Sequence, residues 1–166
     1  GVVRNINLAL KWYKLAAQQG FAHAQSNLGS IYALGRGIPK NSEEAIRWFK
    51  LAAIQGDVHA QFNLGSIYGS GSDFEKNYRE SFKWYKSAAM QGLAQAQFNL
   101  SVMYRKGLGV PKDYVEAYKW ANLSSANGHT NGTKLREFIE SQMTPGQVEK
   151  SQNLSRQCID SNYNNC

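Results

Sequence analysis

One aromatic residue recurs at a fixed interval: Trp12, Trp48, Trp84 and Trp120 stand 36 residues apart each time. Gly20, Gly56, Gly92 and Gly128 keep the same interval, and so do Leu28, Leu64 and Leu100. A period of roughly 20–50 residues marks stacked supersecondary units, none of which can bury its apolar face alone. In such an array each unit touches only its neighbours, so a single central core is not expected. Function must then be read from the surface that the units present.

The stretch from Trp48 to Gly71, WFKLAAIQGDVHAQFNLGSIYGSG, shows what one unit is. It reads as the end of one helix, a turn at Gly56, and a second helix. Alanines stand where two helices must touch: Ala16-Ala17, Ala52-Ala53 and Ala88-Ala89 on one helix, and Ala24, Ala60 and Ala96 on the other. Gly29 and Gly65 fall inside helices, where glycine costs about 0.5–1 kcal/mol relative to alanine. A repeated cost of that kind implies a close neighbour, and Ser101, also small, takes the place in the next unit. The tryptophans, with Tyr32, Tyr68 and Tyr104, are expected to fill the space between units.

The apolar spacing predicts helices over about 5–19, 22–34, 42–54, 58–69, 78–90 and 94–106. Asn41 or Ser42 offers an N-cap oxygen after Pro39, with glutamates in the first turn. The linker from Gly71 to Asn77 replaces the glycine and proline of its counterparts with Asp73 and Glu75. A fourth unit begins at Asp113 and then departs from the pattern, with Gly132, Arg136, Glu137 and Glu140 at repeat positions. Leu135, Phe138, Ile139 and Met143 keep one apolar stripe, as a terminal capping helix should. Thr144-Pro145 with Gln147 opens a last helix through a capping box, and residues 162–165 read as loop. Gly1-Val2 align with Gly37-Ile38, so the chain is expected to begin partway through a repeat. The expected organisation is a lone helix over 1–21, repeats over 22–57, 58–93 and 94–129, and capping helices with a tail over 130–166.

The phrases Ala45-Ile-Arg-Trp48-Phe-Lys-Leu-Ala52-Ala-Ile-Gln-Gly56 and His59-Ala60-Gln-Phe-Asn63-Leu-Gly65-Ser-Ile-Tyr68 resemble Sel1-like repeats, relatives of the tetratricopeptide repeats. The resemblance covers residues 1 to about 129. It implies an all-α fold, an α/α superhelical solenoid of helix-turn-helix repeats. It also implies that the chain is an adaptor or scaffold binding a protein or peptide in a concave groove lined by the Asn-Leu-Gly helices. On that reading the groove carries His23, Asn27, Ser30 and Leu34, then His59, Asn63, Ser66 and Ser70, then Gln95, Asn99, Val102 and Lys106. Phe62 and Phe98 flank the stripe. Arg105, Lys106 and Lys134 add positive charge toward one end, which favours an acidic peptide. The asparagine column fits two roles: gripping an extended backbone, since an amide both donates and accepts, or forming a hydrogen-bond ladder between repeats.

The net charge of +7 would suit an acidic partner, nucleic acid or anionic lipid without choosing among them. Lys11, Arg47, Lys83 and Lys119 share one repeat position and Lys14, Lys50 and Lys86 another. They are expected on a solvated outer face; the alternative is a track for an acidic surface or nucleic acid, which lacks interleaved exposed aromatics. Catalysis has little support. His23 and His59 recur without an acidic or cysteine companion, and no phosphate loop, catalytic triad or cofactor motif stands out. Some cysteine-rich relatives have been linked to β-lactam binding, so a hydrolase or binder of cell-wall-like ligands is the enzyme alternative. Against it, no Ser-x-x-Lys motif is present to supply an activated serine. No run is long and apolar enough to span a membrane.

Cys158 and Cys166 stand near the C-terminus. Cysteine-rich members of the resembled family use this spacing to clip helices together, which implies a disulfide and a periplasmic or secreted location. Free thiols or a zinc site are the alternatives.

Overall fold

The computed structural model describes residues 6–71, 75–164 and 166. Among them run nine α-helices and no strand: α1 (Ile6–Gln18), α2 (Ala22–Leu34), α3 (Ser42–Ile54), α4 (Val58–Ser70), α5 (Tyr78–Ala89), α6 (Ala94–Lys106), α7 (Tyr114–Ala126), α8 (Gly132–Glu140) and α9 (Pro145–Asp160). The expected all-α class is the class found. The start placed at residue 5, the repeat alignment of Gly1-Val2, the substitution at Asp73 and the end of the loop over 162–165 lie outside the described residues.

The helices begin where side-chain oxygens meet free amides. Asn41 Oδ1 accepts from the Glu44 amide at 3.0 Å and Asn77 Oδ1 from the Glu80 amide at 3.1 Å. Asp113 Oδ1 takes the amides of Val115 and Glu116 at 2.8 and 3.0 Å. These caps are 36 residues apart, and each also donates its own amide backward, to the carbonyls of Tyr32, Tyr68 and Tyr104 at 2.9, 2.9 and 3.0 Å. One residue thus closes the preceding loop and starts the next helix. In two of the three the glutamate three positions on has a second task, whereas the buried Trp84 indole nitrogen has no partner among the described residues. Glu44 Oε2 accepts from the Trp48 indole at 3.1 Å, and Glu116 Oε2 from the Trp120 indole at 3.2 Å. Thr144 and Gln147 form the expected capping box of α9.

The chain divides into two compact units, Gly1–Leu64 and Gly65–Cys166, with the boundary inside α4. In the first, Leu10, Ala17, Ala24 and Leu28 form a core against which Ala16, Ile31, Tyr32, Ile38 and Trp48 pack. Phe49 is 1 % exposed and lies on Gly29, where a Cβ would stand 2.7 Å from its ring. In the second, Ala117, Tyr118, Ala121 and Ile139 form a core with Tyr104, Tyr114, Leu135, Met143 and Val148. Tyr85 covers Gly65 as Phe49 covers Gly29, at 2.6 Å from a Cβ on that glycine. Ser81 Oγ donates to the Gly65 carbonyl at 2.7 Å. One repeat on, the hydroxyl changes sides: Ser101 Oγ donates to the Ala117 carbonyl at 2.6 Å. The small residues inside helices mark close helix crossings, as their cost implied.

Buried glutamines extend the pattern. Gln25, Gln61 and Gln97 each donate Nε2 at 3.1 Å to the carbonyl eight residues earlier, Ala17, Ala53 and Ala89, at the end of the preceding helix. In the first unit Gln25 Oε1 also accepts from Gln55 at 2.8 Å, and in the second Gln97 Oε1 accepts from Asn127 at 2.9 Å. Glutamines therefore carry hydrogen bonds from one repeat to the next.

Three expectations need correction. Trp120 is fully buried, but Trp12 is 59 % exposed, and the rings in closest contact with the helical glycines belong to Phe49 and Tyr85, one residue after the tryptophans. One residue is a 100° turn of the helix, and only the neighbour decides which of two adjacent rings faces it. Lys119 is not on a solvated face. It is 2 % exposed, and its ammonium lies 2.8 Å from Glu116 Oε2, donates to the Cys166 carbonyl at 2.8 Å and stands over the Trp120 ring. Phe138, placed on the buried stripe of α8, is 53 % exposed. Gly132, where the repeat wants alanine, is explained by backbone: a Cβ there would stand 2.6 Å from the Ser125 amide.

The chain end folds back on the second unit. Cys158 and Cys166 are disulfide-bonded with Cα atoms 4.8 Å apart. Asn162 and Tyr163 take left-handed backbone angles, φ 49° and 65°, and the Tyr163 hydroxyl stands 2.7 Å from Asn127 Nδ2.

Candidate peptide-binding surface

In the first unit, α2 carries His23, Asn27 and Ser30, and the start of α4 carries His59, Phe62 and Asn63. The two histidines are exposed, whereas Asn27, Ser30, Phe62 and Asn63 are half-buried. His23 Nδ1 stands 3.9 Å from Asp57, whose other oxygen caps α4 through the Ala60 amide at 2.8 Å. A cavity of about 380 Å³ between α1 and α2 is lined by Ala9, Trp12, Tyr13, Ala16, His23 and Ala24.

The second unit gathers more of the expected residues. Ser66 Oγ stands 2.9 Å from the Tyr85 hydroxyl, and Asn99 hydrogen-bonds the same phenol. Burial pushes the Tyr85 pKa up, against these two bonds, so the phenol stays protonated at neutral pH. Beside it lies a cavity of about 160 Å³ lined by Gly69, Tyr78, Ser81, Tyr85, Asn99, Val102, Met103 and Leu108. Cavities of about 150 Å³ take up a molecule the size of benzene. One wall is polar, from Tyr85 and Asn99, and another apolar, from Val102, Met103 and Leu108. This arrangement can seat one apolar side chain while an amide meets the backbone next to it. It has no nucleophile with an adjacent base. Among the described residues no group of three or more histidine, cysteine, aspartate and glutamate side chains gathers to hold a metal.

The remaining expected residues lie along α6 and α8. Gln95, Lys106 and Lys134 are exposed, and Arg105 is half-buried. Phe98 stacks on His129 with centroids 4.5 Å apart. The Arg105 guanidinium lies 5.2 Å from the Phe138 ring centre. The buried Arg105 Nε and His129 Nδ1 have no hydrogen-bond partner among the described residues. Tyr78, Tyr85, His129 and Phe138 were not legible as site residues. Tyr85 carries the signal that could have found it, since it occupies the register of Phe49 opposite a helical glycine.

The family model described as Sel1 repeat matches residues 1–21, 22–57, 58–93 and 94–129. Among solved structures the chain is similar to a protective antigen of uropathogenic Escherichia coli that displays an SLR fold. That likeness is 39% in sequence with a TM-score of 0.86, over 96% of this chain and 34% of the antigen. A Sel1 repeat protein from Oxalobacter formigenes is 38% identical with a TM-score of 0.71, over 78% of this chain and 97% of that one. The chain thus spans about a third of the antigen's length. Among curated proteins none matches it. Sel1 repeats are a protein-interaction scaffold type, and such scaffolds are generally non-catalytic. No described helix is long and apolar enough to cross a membrane.

Proposed function

The chain belongs to the Sel1-repeat family, and on that premise we propose that it is a non-catalytic scaffold that holds an extended segment of a partner protein on its Asn-Leu-Gly helices. The observation that carries this reading is the small cavity of the second unit, where Asn99 and Tyr85 border an apolar pocket on the stripe named from sequence. A ligand side chain enters the pocket while Asn99 addresses its backbone. In the first unit Asn27 and Asn63, half-buried in the same register, offer amides of the same kind. The Cys158–Cys166 disulfide supports a periplasmic or secreted location, because such bonds persist in oxidising compartments.

The test is to pan a random-peptide library on the folded protein and map the selected peptides by hydrogen exchange. Protection of α6, with loss of binding on Val102→Asp, is expected. Selection of no peptide, or protection confined to α3 and α5, would sink the reading.

A further inference from the structure

α6 and α8 both pack on α7, and one side-chain contact joins α6 to α8 while a second joins α6 to the turn before α8. Phe98 stacks on His129 just before α8 begins, and Arg105 lies over Phe138 near its end. The turn before α8 thus stands near the middle of α6 and the later part of α8 near its end. Between the contacts α6 advances seven residues, about 10 Å at 1.5 Å per residue. Val102 lies on α6 between Phe98 and Arg105, and Lys134 lies one turn before Phe138 on the same face of α8. The furrow so bounded has aromatic ends, an aliphatic position and two cations.

Those cations are not neutralised. Among the described residues neither Arg105 nor Lys134 takes part in a salt bridge. Lys106, exposed at the end of α6, adds a third unpaired charge. Glu137 and Glu140 on α8 are also exposed; Glu137 is the i+3 neighbour of Lys134 but forms no salt bridge with it. The Phe138 ring holds the Arg105 guanidinium with its buried Nε unbonded. A half-buried guanidinium above an aromatic ring matches a carboxylate beside an apolar side chain.

We infer that the α6–α8 furrow docks an acidic peptide segment whose carboxylates alternate with apolar side chains. Arg105 and Lys134 take the carboxylates, and Phe98, Val102 and Phe138 take the apolar groups. This rests on the scaffold reading above and adds the chemistry of the partner.

The experiment uses the whole chain and fluorescence anisotropy with three fluorescein-labelled peptides of alternating sequence: Glu-Leu, Glu-Ser and Lys-Leu. Binding is expected for Glu-Leu, weakened for Glu-Ser and absent for Lys-Leu. Arg105→Gln with Lys134→Gln should weaken Glu-Leu binding by about tenfold or more, with the thermal melt unchanged. A control of equal charge, Lys11→Gln with Lys150→Gln, should leave it within about twofold. Equal loss in both pairs would mean a general attraction to a basic protein and would overturn the assignment. So would a single-stranded oligonucleotide bound more tightly than Glu-Leu at physiological salt, or no binding of Glu-Leu at all. If library peptides still protect α6 but lack acidic residues, the scaffold reading stands and this inference fails. If no peptide of any composition binds, both fail.

Discussion

Phe49 lies against Gly29, so close that a Cβ on the glycine would stand 2.7 Å from the ring. The pair explains a contradiction in the sequence, a helix breaker kept inside a helix. Glycine costs the helix about 0.5–1 kcal/mol, and burial of the ring contributes about 1.5–3 kcal/mol. The balance favours the glycine, and in the second unit Gly65 and Tyr85 repeat it.

Gly29→Ala should therefore destabilise the protein, against the usual direction for an exposed helix position. Overpacking by one methyl is expected to cost about 1–3 kcal/mol. Adding Phe49→Leu to it should recover part of the loss, because the clash and the ring go together. Denaturant melts of the two singles and the double decide it. Additive losses would show that the two residues do not share a site.

Gln97→Leu keeps the volume of a buried side chain but removes a donor from the Ala89 carbonyl and an acceptor from Asn127. A loss of about 1–2 kcal/mol is expected. The exposed Gln157→Leu should stay within about 0.5 kcal/mol. Equal effects in chemical denaturation would remove the glutamine from the account of the stack.

Reducing the Cys158–Cys166 bond frees a short loop and the carbonyl that receives the Lys119 ammonium. Closing a loop of this length contributes about 2–3 kcal/mol in the chain-entropy account. Hydrogen exchange after reduction should accelerate in α9 and around Lys119 while α3 is unchanged. No change in α9 would show that the clip holds nothing.

The Tyr104 pKa is pushed up to about 12, first by burial and then by the negative charges of Glu116 and Asp113. A phenol with a folded pKa above its unfolded value near 10 stabilises the fold fully below about pH 10. That contribution is lost as pH rises from about 10 toward 12. Ultraviolet titration of wild type against Tyr104→Phe should assign the missing late transition to this residue. If the transition lost in Tyr104→Phe lay near pH 10 instead, the burial would be contradicted.

The helix positions were legible because they are local properties. Asn41, Asp113 and Thr144 cap where capping chemistry places them, and glycines such as Gly20 and Gly56 end helices in left-handed conformations, φ 92° and 93°. What escaped was set by neighbours distant in the chain. The Lys119 position is charged in every repeat, and only the tail returning to it through Cys166 makes the last member buried. Choosing Phe49 over Trp48 needed the Gly29 face. The Asn99 stripe was placed from helical spacing, but its partner Tyr85 comes from another helix, which that spacing does not reach.

The central claim is that partners lie on the Asn-Leu-Gly helices and not on the lysine-bearing ones. A photoreactive phenylalanine analogue at Val102 of α6, and separately at Lys83 of α5, tests it with the library-selected peptides. Cross-linking from position 102 with none from position 83 is the predicted result. Cross-linking from 83 alone would place the partner on the opposite helix type and contradict the account.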